Sequence, residues 1–262
     1  MNVLYERINY SSNLPFVFSR YIREYDIQKA NISILFDKGI ISQQDYEYLY
    51  NSDRMERQIY IGKLQRSNKK ITKALQSGII NAKKNLFLSN KIEPHEVLAI
   101  KNDAVFIIGR ELTNTQFGII KFVEKNVYTS FMRLQNVEIY YGFDRISNTE
   151  NYSIKGLGKK EFYHRDYMID FLLYIINSIQ TTDIQNVIID LGNFYREYIN
   201  RLLPIGYYRE FNSDSRYKIG GFIVDDIPDT IDNRNAVDIS YNARILTILS
   251  QYVNSIYMNN AR

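Results

Sequence analysis

The sequence predicts an α/β protein of the α+β kind, an antiparallel sheet packed on helices and followed by a mostly helical region. Three observations lead there. Short apolar runs in the first half alternate or cluster in the β manner. A long lysine-rich stretch between them has helical spacing, and the last third carries apolar residues at intervals of three and four. The 262 residues are enough to bury a substantial core.

Element by element, residues 1–20 read as a strand or an entry arm containing Pro15. Tyr21 to Ile27 alternates as a strand, and Gln28 to Phe36 reads as a helix that stops near Lys38-Gly39. Ser42 with Asp45 three residues on has the form of a helix cap, so a helix is expected through Tyr50. Arg57 to Leu88 reads as helical with one interruption at Ser77-Gly78, and Pro94 ends the pattern. Val97 to Ile100 and Ala104 to Ile108 are two β segments flanking the polar knuckle Lys101-Asn102-Asp103. Further strands are expected at 117–124 and 136–142, and a loop over Asp144 to Asn151. Lys155 to Lys160 reads as a basic glycine turn. Helices are then expected at Tyr167 to Ile179, at 183–203 and at 237–258, with irregular chain over 206–240. A boundary near residue 165 divides an α/β part, 1–165, from a helical part, 166–262.

Composition limits the chemistry. The hydrophobic share of 45% and charged share of 24% are those of an ordinary globular protein. No apolar run reaches the roughly 18–20 residues that span a bilayer, and the N-terminus has no apolar signal core, so no membrane partner and a cytoplasmic location are expected. With no cysteine, and His95 and His164 the only histidines, thiolate and histidine-rich metal sites are not available. A metal, if used, is then a hard ion held by carboxylates, Mg2+ or Mn2+. The net charge of +4 is mild but uneven. Arg54, Arg57, Lys63, Arg66, Lys69, Lys70, Lys73, Lys83, Lys84 and Lys91 face only Glu56 in their stretch, while Asp225 to Asp238 is acidic. Such a basic run is usually a solvated face; it also suits a nucleic-acid backbone. The 23 tyrosines fit a bias in codon usage better than they fit base stacking, which their number alone does not indicate.

Two acids stand out by position. Asp26 ends a β run just before a helix, and Asp103 lies in the knuckle between two β runs. Taken singly, each is explained by turn or capping chemistry. Adjacent antiparallel strands would bring both to one sheet edge, where a divalent cation or a shifted protonation must offset their repulsion.

The segment Tyr25-Asp26-Ile27-Gln28-Lys29-Ala30 resembles motif A of palm polymerases, in particular the family B DNA polymerases. Lys101-Asn102-Asp103-Ala104-Val105-Phe106 is similar to their motif C, and Lys73-Ala-Leu-Gln-Ser77-Gly78 to motif B, in the same order. Ile154-Lys155-Gly156-Leu157 and His164-Arg165-Asp166 resemble the basic segment and Arg-Asp pair that precede the thumb. The resemblance, over about residues 20–180, implies a reduced, divergent polymerase of viral or phage type, acting in host cytoplasm if viral. It implies a palm-like core with short fingers-like helices at about 42–92 and a thumb-like remainder. By the same resemblance Asp26 and Asp103 hold two Mg2+ or Mn2+ ions as the catalytic pair, and Arg66, Lys70 and Lys73 grip a nucleoside triphosphate. Lys155, Lys159, Lys160 and Arg165 contact primer–template or single-stranded nucleic acid. Asn31 stands where the family keeps a tyrosine against the ribose 2′-hydroxyl, which leaves the choice of sugar open. Arg66, Lys70 and Lys73 are also spaced to share one helical face. Lys101 stands where a first acid is usual and Ala104 where serine is usual; these departures favour the alternative, a non-catalytic palm-derived nucleic-acid-binding or viral assembly protein. Short fingers and a small thumb imply partner subunits.

Overall fold

In a computed structural model of the full chain, the structure describes residues 4–134, 137–144, 149–155, 174–175, 177–179, 183–203, 210–211, 217–219, 222–224, 247 and 250. The fold is α+β. The chain divides into two compact units, one made of 1–129 with 142–151, the other of 130–141 with 152–262. The expected boundary near residue 165 falls outside the described residues.

The first unit is a sheet with helices on one face. Its strands are β1 (Asn9–Ser11), β2 (Phe16–Ile27), β3 (Val97–Lys101), β4 (Ala104–Ile108), β5 (Gln116–Phe117) and the first part of β6 (Ile120–Leu134). Their order is β1-β3-β4-β2-β6, with β5 beside β6. β1 runs antiparallel to β3, β3 to β4, and β4 to β2, where Ile22 faces Ile108 and Tyr25 faces Val105. Lys101 pairs with Ala104, so Asn102 and Asp103 alone make the turn between β3 and β4. Asn102 takes the left-handed φ of 57° there, a conformation asparagine tolerates better than most residues.

Alternation along the strands sorts the side chains. Tyr25, Ile27, Ile100, Val105 and Ile107 join one apolar cluster with the helices, including Ile34, Leu49, Leu75, Ile79 and Leu86. Each fully buried Ile or Leu of that cluster contributes about 1.5–3 kcal/mol. Glu24 and Asp26 point to the other face of β2.

Four helices cover the first face: α1 (Ala30–Asp37), α2 (Gln43–Asn51), α3 (Arg54–Ser67) and α4 (Lys70–Asn90). Ser42 caps α2 as the sequence predicts. Its hydroxyl accepts the Asp45 amide at 3.1 Å, and the Asp45 carboxylate accepts the Ser42 amide in return. The interruption expected at Ser77-Gly78 within 57–88 lies elsewhere. The break lies at Asn68, which is extended and whose side-chain oxygen accepts the Lys70 amide at 2.9 Å, opening α4.

Ser77-Gly78 therefore does not interrupt the helix; it sits inside α4. Glycine is there for close approach, since a Cβ at Gly78 would come within 2.2 Å of Ile34 Cγ2 on α1.

In the second unit, β6 continues from Ser130 and pairs antiparallel with the Val137–Tyr141 part of β7 (Val137–Asp144), Phe131 facing Tyr140. The expected helix at 183–203 is α5 (Ile184–Ile199), capped by Asp183. Two expectations are corrected. The end of the loop over 144–151 already belongs to strand β8 (Thr149–Lys155), where Tyr152 and Ile154 supply β-favouring side chains among the polar ones. The stretch 206–240 is not wholly irregular, because β9 (Glu210–Phe211), β10 (Tyr217–Ile219) and β11 (Phe222–Val224) pair as a small antiparallel sheet. The helices expected at 167–179 and 237–258 lie mostly outside the described residues. Among the described residues no helix is long and apolar enough to cross a membrane.

Gly78→Ala is expected to destabilise the protein by about 1–3 kcal/mol through overpacking against Ile34. Ser77→Ala, at the exposed neighbour, should stay within about 0.5 kcal/mol. Chemical denaturation of both variants checks this, and equal stabilities would remove the close-approach role of Gly78.

Candidate functional site

The register of β2 on β4 places the two singled-out acids together. Tyr25 pairs with Val105, so Asp26, one residue on, arrives beside Ala104 and the turn that holds Asp103. The two carboxyl groups lie within hydrogen-bond reach of each other, a contact that disfavours ionised Asp103. Burial first, and then the negative charge of Asp26, push the Asp103 carboxyl up from an ordinary 3.8 to about 6. The Asn102 side-chain amide donates to Asp103 Oδ1 at 3.2 Å and works in the opposite sense.

Two ammonium groups attend the pair. Lys125 on β6 reaches Asp26 Oδ2 at 3.4 Å from a largely exposed position. Lys83 on α4 is fully buried, donates to the Arg7 carbonyl and lies in the field of Asp103. Burial lowers its pKa to about 8, and the Asp103 charge limits that fall. Asp26 Oδ1 remains buried with no hydrogen-bond partner. An orphaned carboxylate oxygen is costly, and a cation or a proton at that point removes the cost.

These donors fit a hard divalent ion. Asp26 and Asp103 are the residues that would hold it, with the remaining positions left to water or a substrate oxygen. Among the described residues no group of three or more His, Cys, Asp or Glu side chains is arranged for a metal.

On the same face of β2, the buried Glu24 carboxylate accepts from Asn126 Nδ2 at 2.6 Å and from the Tyr128 hydroxyl at 3.0 Å. Asn151 in turn donates to Asn126 at 3.2 Å. This acid is satisfied, unlike its neighbour two residues on.

The other candidates are placed differently. Asn31 is exposed in the first turn of α1. Arg66 ends α3 while Lys70 and Lys73 open α4, so the expected single helical face carrying all three is corrected by the break at Asn68. All three are exposed, and among the described residues no hydrogen bond or ion pair joins them to the carboxylate pair. Lys155 ends β8; Lys159, Lys160 and Arg165 lie outside the described residues.

Lys101 has a structural use. Its ammonium donates to Ser11 Oγ at 2.9 Å, pinning β1 to β3. Lys83 is the residue that sequence reasoning missed, counted only as one more cation of the basic run. The signal was present, because Lys83 falls on the apolar stripe of α4 four residues after Ile79 and three before Leu86, whereas Lys84 faces solvent.

The raised pKa of Asp103 has a sign. The folded state binds this proton more tightly than the unfolded chain, so the stabilisation is complete below about 3.8 and is lost as pH rises through about 6. Thermal melts in chelator should therefore show wild type losing stability relative to Asp103→Asn between those values. Parallel curves for the two proteins would contradict the raised pKa of Asp103.

Comparison with known proteins adds the family. A search of curated proteins found no match. The model of the family described as Bacteriophage PBS1 gene 130 protein matches residues 1–253. Since that match spans nearly the whole chain, both the carboxylate pair and the helices behind it included, the chain belongs to the bacteriophage PBS1 gene 130 protein family.

Proposed function

We propose that the protein is a template-directed nucleotidyltransferase of phage origin, with a palm-like first unit whose Asp26 and Asp103 bind divalent ions. The observation that carries this reading is the pair itself. A carboxylate near the end of β2 and one in the β3–β4 turn meet at the same end of the sheet, and Asp26 Oδ1 is buried without a partner. The order of the motif-like segments around Asp26, Lys73 to Gly78 and Asp103 supports it, as does the cationic surface of α3 and α4.

Bound Mg2+ or Mn2+ would supply alignment and charge neutralisation at the transferring phosphoryl group. The chain's own residues do the rest. Asp26 is fixed by the β2–β4 ladder and Asp103 by its two-residue turn, so neither carboxylate must be ordered when substrate arrives. Lys83 holds a fixed positive charge behind Asp103 and ties the N-terminal arm at Arg7 to α4. Lys70, Lys73 and Arg66 offer exposed cations for the triphosphate, and Lys155, Lys159, Lys160 and Arg165 for the nucleic-acid backbone. Asn31 is the candidate contact to the ribose.

A second reading, a non-catalytic nucleic-acid-binding or assembly protein derived from the same fold, rests on a specific observation. Lys125 already forms an ion pair with Asp26, and Lys83 adds a second positive charge beside Asp103, so two ammonium groups offset two carboxylates.

Primer extension with ribo- and deoxyribonucleotides separates the two. Asp26→Asn and Asp103→Asn should each lower extension by on the order of a thousandfold or more, as loss of metal-assisted charge stabilisation implies. Nucleic-acid binding by both variants should persist and weaken steeply with salt. Extension absent from wild type with either metal, beside intact salt-sensitive binding, would select the second reading. If extension is present, Asn31→Tyr should sharpen preference for deoxyribonucleotides; unchanged discrimination would remove Asn31 from the sugar site.

A further inference from the structure

Helix α3 is apolar on two opposite sides. Ile61 is buried, and Tyr60 and Leu64 pack against the core cluster. On the other side Met55 is 68% and Ile59 52% exposed, in line with Gly62 and Arg66. The spacing of four, three and four along Met55, Ile59, Gly62 and Arg66 is that of a seam between two packed helices, and it lies diametrically opposite the buried stripe. A surface groove of about 330 Å³ runs along it, lined by Met55, Gln58, Ile59, Gly62, Lys63 and Arg66. At Gly62 an added Cβ would meet nothing within 4 Å, so the seam has an open hole at its midpoint.

We propose that this face of α3 is a self-association surface, on which α3 of a second copy of the chain packs antiparallel. Charge and shape choose the occupant and its direction. In an antiparallel pair centred between Ile59 and Gly62, each Ile59 enters the hole above the other copy's Gly62, and each Arg66 stem covers the other's Met55. Glu56 and Lys63 lie two turns apart on one flank of the seam, and Gln58 and Gln65 on the other. Antiparallel packing sets like flanks against each other, so Glu56 of each copy meets Lys63 of the other, twice by symmetry. Parallel packing would set both charges against glutamines and lose the match. One helix of 14 residues gives a small interface, so the association is weak and reversible. The surface does not involve the carboxylate pair, and it shares only Arg66 with the cations offered to the triphosphate in the proposed function.

Sedimentation velocity of the full chain, from about 1 to 200 μM as a small interface requires, tests the proposal. Wild type should pass from monomer to dimer across that range. Ile59→Lys, and separately Glu56→Lys or Lys63→Glu, should each weaken the dimer by about tenfold or more through like-charge contacts. Mixing Glu56→Lys with Lys63→Glu restores opposite charges at both symmetry-related contacts and should recover a heterodimer, with circular dichroism verifying that each variant is folded. Lys63 is exposed, so its variant remains informative if Glu56→Lys disturbs the contact to Tyr48. A wild type monomeric throughout, or a dimer indifferent to Ile59→Lys and to the charge exchange, would overturn the proposal. Protection of this face from hydrogen exchange only on adding single-stranded nucleic acid would also overturn it, marking a nucleic-acid surface instead.

Discussion

The antiparallel register of β2 against β4 is the constraint on which the rest depends. Tyr25 opposite Val105 is a core pair, and the helices cover it from one side. Because side chains alternate, fixing Tyr25 inward fixes Glu24 and Asp26 outward. A slip of one residue would carry Asp26 into the apolar cluster and expose Tyr25, so the hydrophobic pattern holds the acid in place. The short turn at Asn102-Asp103 then sets the second carboxylate at the end of the same ladder. Helix packing reinforces the arrangement from behind, since Gly78 lets α4 approach α1 closely and the same α4 carries Lys83 to the vicinity of Asp103.

Electrostatically the pair works against folding. Neither its burial nor its mutual repulsion is favourable, and Lys125 and Lys83 offset what the fold alone does not. Glu24, two residues away, shows how the same strand treats an acid kept for structure, with donors from Asn126 and Tyr128 on its carboxylate. Asp26 Oδ1 has no such donor. A half-buried acid with one unsatisfied oxygen thus stands beside a fully satisfied one.

Much of this was legible in the sequence. Alternating and continuous apolar runs located β2, β3 and β4, and Ser42-x-x-Asp45 located α2, because each signal is local. The meeting of Asp26 with Asp103 followed from two local readings joined by the antiparallel assumption. The break between α3 and α4 was misplaced because Gly78 looks like a breaker until Ile34 is seen against it, while Asn68 disguises a cap as an ordinary polar residue. Lys83 escaped notice because lysine is normally solvated, and only its position on the apolar stripe shows otherwise. The short strands β9 to β11 carry too few residues for a periodic signal.

The central claim is that the Asp26–Asp103 edge is built to hold a divalent cation, and direct titration with Mn2+, followed by electron paramagnetic resonance at neutral pH, tests it without requiring turnover. The account predicts saturable Mn2+ binding to the wild-type chain, loss of that binding in the Asp26→Asn, Asp103→Asn double variant, and tighter binding in Lys125→Ala, where the competing ammonium is gone. Equal Mn2+ binding by wild type and the double variant, or no binding by wild type and by Lys125→Ala alike, would contradict it.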